Sequence, residues 1–173
     1  MRIAIAGKIC SGKSFLAKLI ANETNANIYS FGKPVKKYAR EILNMNYKDR
    51  RLLQLFGEKM KDIDKNIWIK HTFKEIDRDL FLKKQLNIVI DDLRFRNEAK
   101  YLQDKNFTII KLNIDSQLQI ERIHKTYSNN ASEHINNLKH QSEKYIDNLP
   151  FDYEFNISKE MDNLQVFEYP HSF

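Results

Sequence analysis

Apolar positions follow two alternating patterns along the chain. Short runs rich in Ile, Val, Phe and Tyr predict five strands, at 2–6, 27–31, 86–91, 107–113 and 152–157. Between the strands, apolar residues recur at helical spacing and predict helices at 13–22, 34–43, 48–57, 66–83, 96–104 and 116–126. Strands that alternate with helices imply parallel strands joined by right-handed crossovers. We therefore predict an α/β fold of three layers, α/β/α, whose sheet has about five parallel strands.

The segment after the first predicted strand reads GKICSGKS and fits the pattern GxxxxGK[ST]. Its two glycines allow a tight turn that points backbone N–H groups inward, and the next helix adds its positive N-terminal end. Lys13 can reach the β- and γ-phosphates of a nucleoside triphosphate, and the Ser14 hydroxyl can ligate Mg²⁺. The sequence therefore predicts a triphosphate site formed by Gly7, Lys8, Ser11, Gly12, Lys13 and Ser14.

Two acidic residues end the third predicted strand, in the sequence LNIVIDD. A carboxylate at the end of a strand beside a phosphate loop can orient Mg²⁺ and its waters. Strand alternation places Asp91 and Asp92 on opposite faces. Either one qualifies for the metal, and the other is then available to the acceptor substrate.

Composition narrows the class of protein. The net charge of +6 favours anionic partners such as nucleotides or nucleic acid, although Lys residues on solvated helix faces give the same excess. The single cysteine, Cys10, fits a reducing compartment, and no apolar run approaches the roughly 20 residues that span a bilayer. The His and Cys residues lack the spacing of a zinc site. We expect a single intracellular, cytoplasmic domain over residues 1–173 without a membrane partner.

Several segments resemble, in order, those of the phage-type deoxynucleoside monophosphate kinases. The segment IDDLRFRNEAKYL is similar to the family's DVRFPNEAEAL, and SFGKPVKKYAREIL is similar to its SFADPLKEIAREIF. The segments DRRLLQLFGEKMKDIDKNIWIK and HQSEKYIDNLPFDYEFNI match further family blocks. The sequence departs from the family pattern at three places. Arg96 occupies a position where the family has Pro, and Glu58 occupies one where the family has Thr. Where the family has Arg, this sequence has Lys61 or Asp62. The Asn-, Lys- and Ile-rich composition is compatible with a virus-encoded protein.

The resemblance implies a P-loop kinase that transfers the γ-phosphoryl group of ATP, with Mg²⁺, to a (deoxy)nucleoside monophosphate. It implies an acceptor-binding helical region at about 33–83 and a lid at about 115–140. Catalytic roles fall to Lys13, Asp92, Arg94 and Arg122, with Lys125 at the ATP site and Ser14 and Asp92 at the metal. The residues implied at the acceptor are Lys36, Arg50, Gln54, Trp68, Asp91 and Arg94.

Some of these residues have a second interpretation. Trp68 lies on the polar side of its helix, so it either stacks on the base or packs under the preceding loop. Arg122 and Lys125 face the same way on their helix and either cover the phosphates or pair with acids on a solvated face. The polar segment NNASEHINN (129–137) is expected to be a mobile part of the lid.

Two other functions stay open beside the nucleotide kinase. One is a kinase of the same architecture for another phosphorylated small molecule, similar to the animal-type phosphomevalonate kinases. The other is a non-catalytic module that binds a nucleoside triphosphate or nucleic acid, although the basic residues are spread rather than clustered. A homodimer is one of the alternatives for the oligomeric state.

Overall fold

The computed structural model describes residues 1–45, 49–83, 86–138 and 145–159. The strands in these ranges are β1 Arg2–Gly7, β2 Ala26–Tyr29, β3 Asn87–Leu93, β4 Thr108–Ile114 and β5 Tyr153–Ile157. The helices are α1 Lys13–Thr24, α2 Gly32–Leu43, α3 Arg50–Ile63, α4 Ile67–Lys83, α5 Arg96–Asp104, α6 Ser116–Thr126 and α7 Ala131–Asn137. The five predicted strands and six predicted helices are all present, with ends that shift by a few residues.

The five strands form one sheet in the order β2-β3-β1-β4-β5, and every neighbouring pair is parallel. β1 lies in the middle, where Ala4, Ile5 and Ala6 are fully buried. A parallel sheet covered on both faces needs such continuous apolar strands. All strands therefore end at the same edge, which brings the residues that follow β1, β3 and β4 together.

Helices cover both faces of the sheet and complete three layers. On one face Ala17 of α1 packs against Ile5, Val89 and Leu112. On the other face the apolar side chains of α4 and α5 pack on the sheet, namely Ile69, Phe73, Ile76, Ala99 and Leu102. Each large aliphatic side chain buried in this way contributes about 1.5–3 kcal/mol. The predicted α/β/α architecture is confirmed.

Three helices, α2, α3 and α4, form the connection between β2 and β3. α2 begins at Gly32, two residues before the predicted start, and Pro34 still lies in the first turn, where no backbone N–H is needed. Asp49 caps α3 because its side chain accepts a hydrogen bond from the backbone N–H of Leu52 at 2.9 Å. α2 and α3 are close at Gly57, where a Cβ would lie 3.4 Å from a methyl of Val35.

The segment 129–137, predicted as a mobile part of a lid, contains the helix α7. Ala131 and His134 are buried, and the ring of His134 stacks on Tyr127 at a centroid distance of 3.7 Å. Helix periodicity is weak in this polar segment because, among its described side chains, the buried ones are Ala131 and His134. Of the predicted lid, residues 139–140 lie outside the described residues.

Candidate active site at the carboxyl edge of the sheet

The loop between β1 and α1 is built around two glycines. At Gly7 a Cβ would lie 2.5 Å from the Oγ of Ser11 and 2.9 Å from the carbonyl oxygen of Leu112, so no larger residue fits. Gly12 has φ of 95°, a left-handed conformation that favours glycine. Its carbonyl accepts the first helical hydrogen bond, from Leu16 N–H at 2.9 Å. The glycine positions of the motif are therefore explained by close approach and by backbone conformation.

Lys13 bends back over this loop. Its Nζ donates hydrogen bonds to the carbonyl oxygens of Gly7 and Lys8, each at 2.7 Å. Ser11 is buried, and its Oγ has no hydrogen-bond partner among the described residues. Lys8 points to the rim, where it forms an ion pair with Asp147 at 2.9 Å. A loop that offers a cation, a buried hydroxyl and a Cβ-free cradle fits a polyphosphate.

Asp91, at the end of β3, is the carboxylate that reaches the phosphate loop. Its Oδ2 accepts a hydrogen bond from Ser14 Oγ at 3.5 Å. Burial raises the pKa of Asp91 to about 6, and the charge of Asp92 adds to this rise, whereas Lys13 and Ser14 oppose it. The Ser14 hydroxyl and the Asp91 carboxylate supply hard oxygen ligands of the kind that Mg²⁺ prefers, so they fit that metal.

Asp92 has a different environment. Its two carboxylate oxygens accept hydrogen bonds from the backbone N–H groups of Phe31 and Gly32, at 2.7 and 2.8 Å. These N–H groups lie at the beginning of α2, where no helical partner is available. A negative charge at this helix start is also favourable. Asp92 thus fixes the helical region to the end of β3, and the geometry favours Asp91 over Asp92 as a metal ligand.

α6 lies against the outer side of the phosphate loop. Arg122 donates from Nη1 to the carbonyl oxygen of Cys10 at 3.1 Å, and Gln119 donates from Nε2 to that of Ile9 at 2.8 Å. Gln119 is only 5% exposed. The structure therefore places Arg122 against the loop, while Lys125 is exposed on the same helix, and the roles of both residues toward the phosphates stay predictions.

Trp68 does not lie on an exposed face. It is 4% exposed, its Nε1 donates to the carbonyl oxygen of Gly57 at 3.0 Å, and its ring packs near Phe56 and His71. The sequence places Trp68 on the polar side of α4, but α3 covers that side. The stacking interpretation is therefore wrong. Trp68 packs against α3, whereas the sequence-based alternative is packing under the loop that precedes α4.

The other predicted acceptor residues lie on the helical region. Lys36 on α2 and Gln54 on α3 are both exposed. Arg50 is the first residue of α3, but its side chain lies outside what the structure describes. The acceptor roles of these three residues stay predictions.

The loop after β3 carries Arg94 and is held by Glu98. Glu98 is 3% exposed, and its Oε2 accepts from the backbone N–H groups of Arg94 and Phe95, each at 3.0 Å. Burial raises the pKa of Glu98 to about 7, against the charge of Lys61 and the two N–H groups. Asn97 donates to the carbonyl oxygen of Lys65 and to the side chain of Asn66, each at 3.1 Å. This loop is therefore tied to the α3–α4 connection.

Reasoning from the sequence missed two residues near the site. Gln119 carries no motif, and only its spacing of three from Arg122 on one helix could have indicated that both contact the phosphate loop. In the sequence, Lys61 is only a departure from a family pattern, yet its Nζ lies 3.3 Å from the centre of the Phe95 ring.

Among the described residues no group of three His, Cys, Asp or Glu side chains could hold a metal ion. None of the described helices is both long and apolar enough to cross a membrane.

Comparison with known proteins gives the class of fold. No family model matches the chain, and no curated protein matches its sequence. The fold is similar to that of TT1252 from Thermus thermophilus, at 14% identity, TM-score 0.59 and coverage of 95% of this chain and 92% of the other. A putative kinase from Chloroflexus aurantiacus matches at 14% identity, TM-score 0.56 and coverage of 96% and 89%. A shikimate kinase from Acinetobacter baumannii, in complex with shikimate, matches at 9% identity, TM-score 0.52 and coverage of 94% and 87%. The chain has the three-layer fold of the P-loop kinases.

Proposed function

We propose that the protein is a kinase that transfers the γ-phosphoryl group of ATP to a (deoxy)nucleoside 5′-monophosphate. An oxygen of the acceptor phosphate forms a bond to the γ-phosphorus, the bond to the bridging β,γ-oxygen breaks, and ADP leaves with the nucleoside diphosphate. The observation that carries this proposal is the contact of Ser14 with Asp91 directly behind a phosphate loop that also holds Lys13. Such transfer needs alignment and charge neutralisation more than covalent chemistry.

Each part of the site has a role in this reaction. The loop N–H groups and Lys13 bind the triphosphate, and Arg122 approaches the same loop from α6. Ser14 and Asp91 are the residues that would hold Mg²⁺, which would supply charge neutralisation for the phosphates. Asp92 acts indirectly, because it fixes the start of α2 and hence the helical region that we assign to the acceptor.

The assignment of a nucleotide as the acceptor rests on the ordered resemblance along the chain. It also rests on the exposed Gln54 and Lys36, whose polar groups suit a base edge and a phosphate. Burial of Trp68 favours a second candidate, a kinase for an acidic small molecule without a base, because it removes the expected stacking platform. Phosphomevalonate represents this second class.

The test is release of ADP from Mg-ATP with a panel of dNMPs, NMPs, phosphomevalonate and shikimate. We expect turnover of at least one nucleoside monophosphate, reduced by about 10²–10³ in Lys13→Ala because a charged donor to the transferring group is lost. Lys18→Ala is the matched control, since Lys18 is exposed on the same helix. Turnover of phosphomevalonate or shikimate alone would select the second candidate. Salt-sensitive retention on DNA without any turnover would instead indicate a binding module.

A further inference from the structure

Four residues of the phosphate loop, from Lys8 to Ser11, form a β-turn. The backbone N–H of Ser11 donates to the carbonyl oxygen of Lys8 at 3.2 Å, which closes the turn. Cys10, the third residue, has φ of 60°, and a positive φ at this position is the mark of a type II turn. This left-handed conformation is strained for a residue that has a Cβ.

Rotation of the central peptide of the turn, between Ile9 and Cys10, relieves this strain. In a type I turn that peptide is reversed, and the third residue has a negative φ, which suits cysteine. A trans peptide points its C=O and its N–H in opposite directions, so the reversal also turns the N–H of Cys10 to the other side of the loop. The cysteine by itself therefore favours the opposite orientation of this N–H group.

Gln119 of α6 holds the peptide in the observed orientation. Its Nε2 donates to the carbonyl oxygen of Ile9 at 2.8 Å, and the residue is 5% exposed. Reversal of the peptide would take this acceptor away from a buried amide, which is costly. Arg122, three residues later on the same face of α6, donates to the next carbonyl, that of Cys10. Because α6 lies on the outer side of the loop, the N–H of Cys10 is directed to the inner side.

α6 is itself anchored at its first turn, so Gln119 has a fixed position. The Oδ1 of Asp115 accepts from the backbone N–H groups of Gln117 and Leu118, at 2.9 and 3.1 Å. The carbonyl oxygen of Asp115 accepts the N–H of Gln119 at 2.8 Å, and its own N–H donates to Ile157 at the end of β5. A side chain on a rigid element orients its partner more precisely than one on a loop.

We infer that Gln119 is a positioning residue for the triphosphate, which holds the strained turn so that the N–H of Cys10 faces the phosphates. This inference rests on the proposed kinase function and adds to its phosphate site a residue from outside the motif. Gln119 acts on the triphosphate through the Ile9–Cys10 peptide. N–H groups that are oriented before the ligand arrives bind an anion without a further cost of ordering.

The test is calorimetry of a non-hydrolysable ATP analogue with Mg²⁺, in the absence of an acceptor. Gln119→Met keeps the approximate size of the side chain and removes its donor, so the analogue should bind about three- to tenfold more weakly. Gln117→Met is the matched control, since Gln117 is exposed on the same helix, and this variant should bind the analogue as the wild type does. Circular dichroism checks that each variant is folded.

A second substitution distinguishes orientation of the turn from packing of α6. Glycine adopts a positive φ without strain, so in a Cys10→Gly background the turn keeps its orientation without help from Gln119. Gln119→Met should therefore weaken binding of the analogue less in this background than in the wild-type background. The same loss in both backgrounds would overturn the inference, as would wild-type affinity in folded Gln119→Met.

One measurement needs no variant. In the wild type, exchange of the Cys10 amide proton with solvent, followed by NMR, should slow when the analogue and Mg²⁺ bind, because this N–H then donates to a phosphate. An unchanged exchange rate in the saturated complex would overturn the inference.

These readouts need no turnover, so they are independent of the kinase assay. The expected binding pattern together with inactivity on nucleotides would reject the nucleotide kinase and keep the role of Gln119. A wild-type protein that does not bind the analogue would reject both.

Discussion

At the scale of single residues, the two adjacent carboxylates at the end of β3, Asp91 and Asp92, have different roles. Asp91 contacts Ser14 of the phosphate loop, whereas Asp92 accepts two backbone N–H groups from the beginning of α2. Alternation along a strand produces this division, because neighbouring side chains point to opposite faces. The sequence predicts the division itself, but not which residue faces the loop, since that depends on the position of α2.

This division predicts opposite results for two asparagine variants. Asp91→Asn should lower kcat by roughly 10²–10³ and raise the Mg²⁺ concentration needed, with little change in the free energy of unfolding. Asp92→Asn should lower the free energy of unfolding by about 1–3 kcal/mol, because the amide nitrogen that replaces one carboxylate oxygen cannot accept the N–H group bound there. Steady-state kinetics and urea unfolding followed by circular dichroism measure the two effects. If Asp92→Asn were as stable as the wild type and Asp91→Asn fully active, the assignment would be wrong.

Glu98 gives the protein a specific pH dependence of stability. Its pKa rises from the ordinary 4.5 to about 7 on folding, mainly through burial. Between these values the folded state binds more protons than the unfolded state, so the contribution of Glu98 to the free energy of unfolding falls as pH rises. Above about pH 7 this loss is complete.

Glu98→Gln removes the titration and keeps an oxygen that can accept hydrogen bonds. Relative to the wild type, we expect this variant to become more stable as pH increases from 5 to 8, in urea unfolding at each pH. Glu23→Gln removes a carboxylate from the exposed surface of α1 and serves as the control for the loss of one negative charge. Parallel pH profiles of the wild type and Glu98→Gln would contradict the effect.

At the scale of secondary-structure elements, the packing of α3 against α4 explains why the buried faces of the helical region could not all be predicted. The apolar spacing of α4 predicts its extent and the face that covers the sheet, where Ile69, Phe73 and Ile76 are buried. It does not predict that α3 covers the opposite face and buries Trp68. A helix with two buried faces has no single stripe, so the position of a neighbouring helix is needed to interpret it.

The contact between α3 and α4 gives a prediction for Trp68→Phe. The variant loses the hydrogen bond from Nε1 to the Gly57 carbonyl and part of the buried ring, and should lower the free energy of unfolding by about 1–3 kcal/mol. The KM for the acceptor should change little more than the KM for ATP, because Trp68 does not face an open site. Thermal unfolding by circular dichroism and the kinase assay measure these effects. A selective rise in acceptor KM would restore the stacking role.

At the scale of the whole molecule, the sequence was sufficient to predict those parts of the fold and of the site whose residues are contiguous in the chain. β1, the phosphate loop and α1 follow one another, so their order and bounds could be predicted from pattern and motif. Gln119 and Lys61 reach the site from α6 and α3, far along the chain, and only the folded arrangement brings them there. α7 could not be predicted because, among its described side chains, the buried ones are a small residue, Ala131, and a polar one, His134. The fold was thus more predictable than the acceptor side of the site.

The packing of Trp68 also gives the molecule an internal optical reporter. Trp68 is the single tryptophan of the chain, and its indole joins α4 to Gly57 of α3. Fluorescence emission excited selectively at tryptophan therefore originates from the contact between these two helices and from nowhere else. Any movement of α3 against α4 changes the surroundings of one fluorophore, so rearrangement of the helical region can be followed in real time without a label.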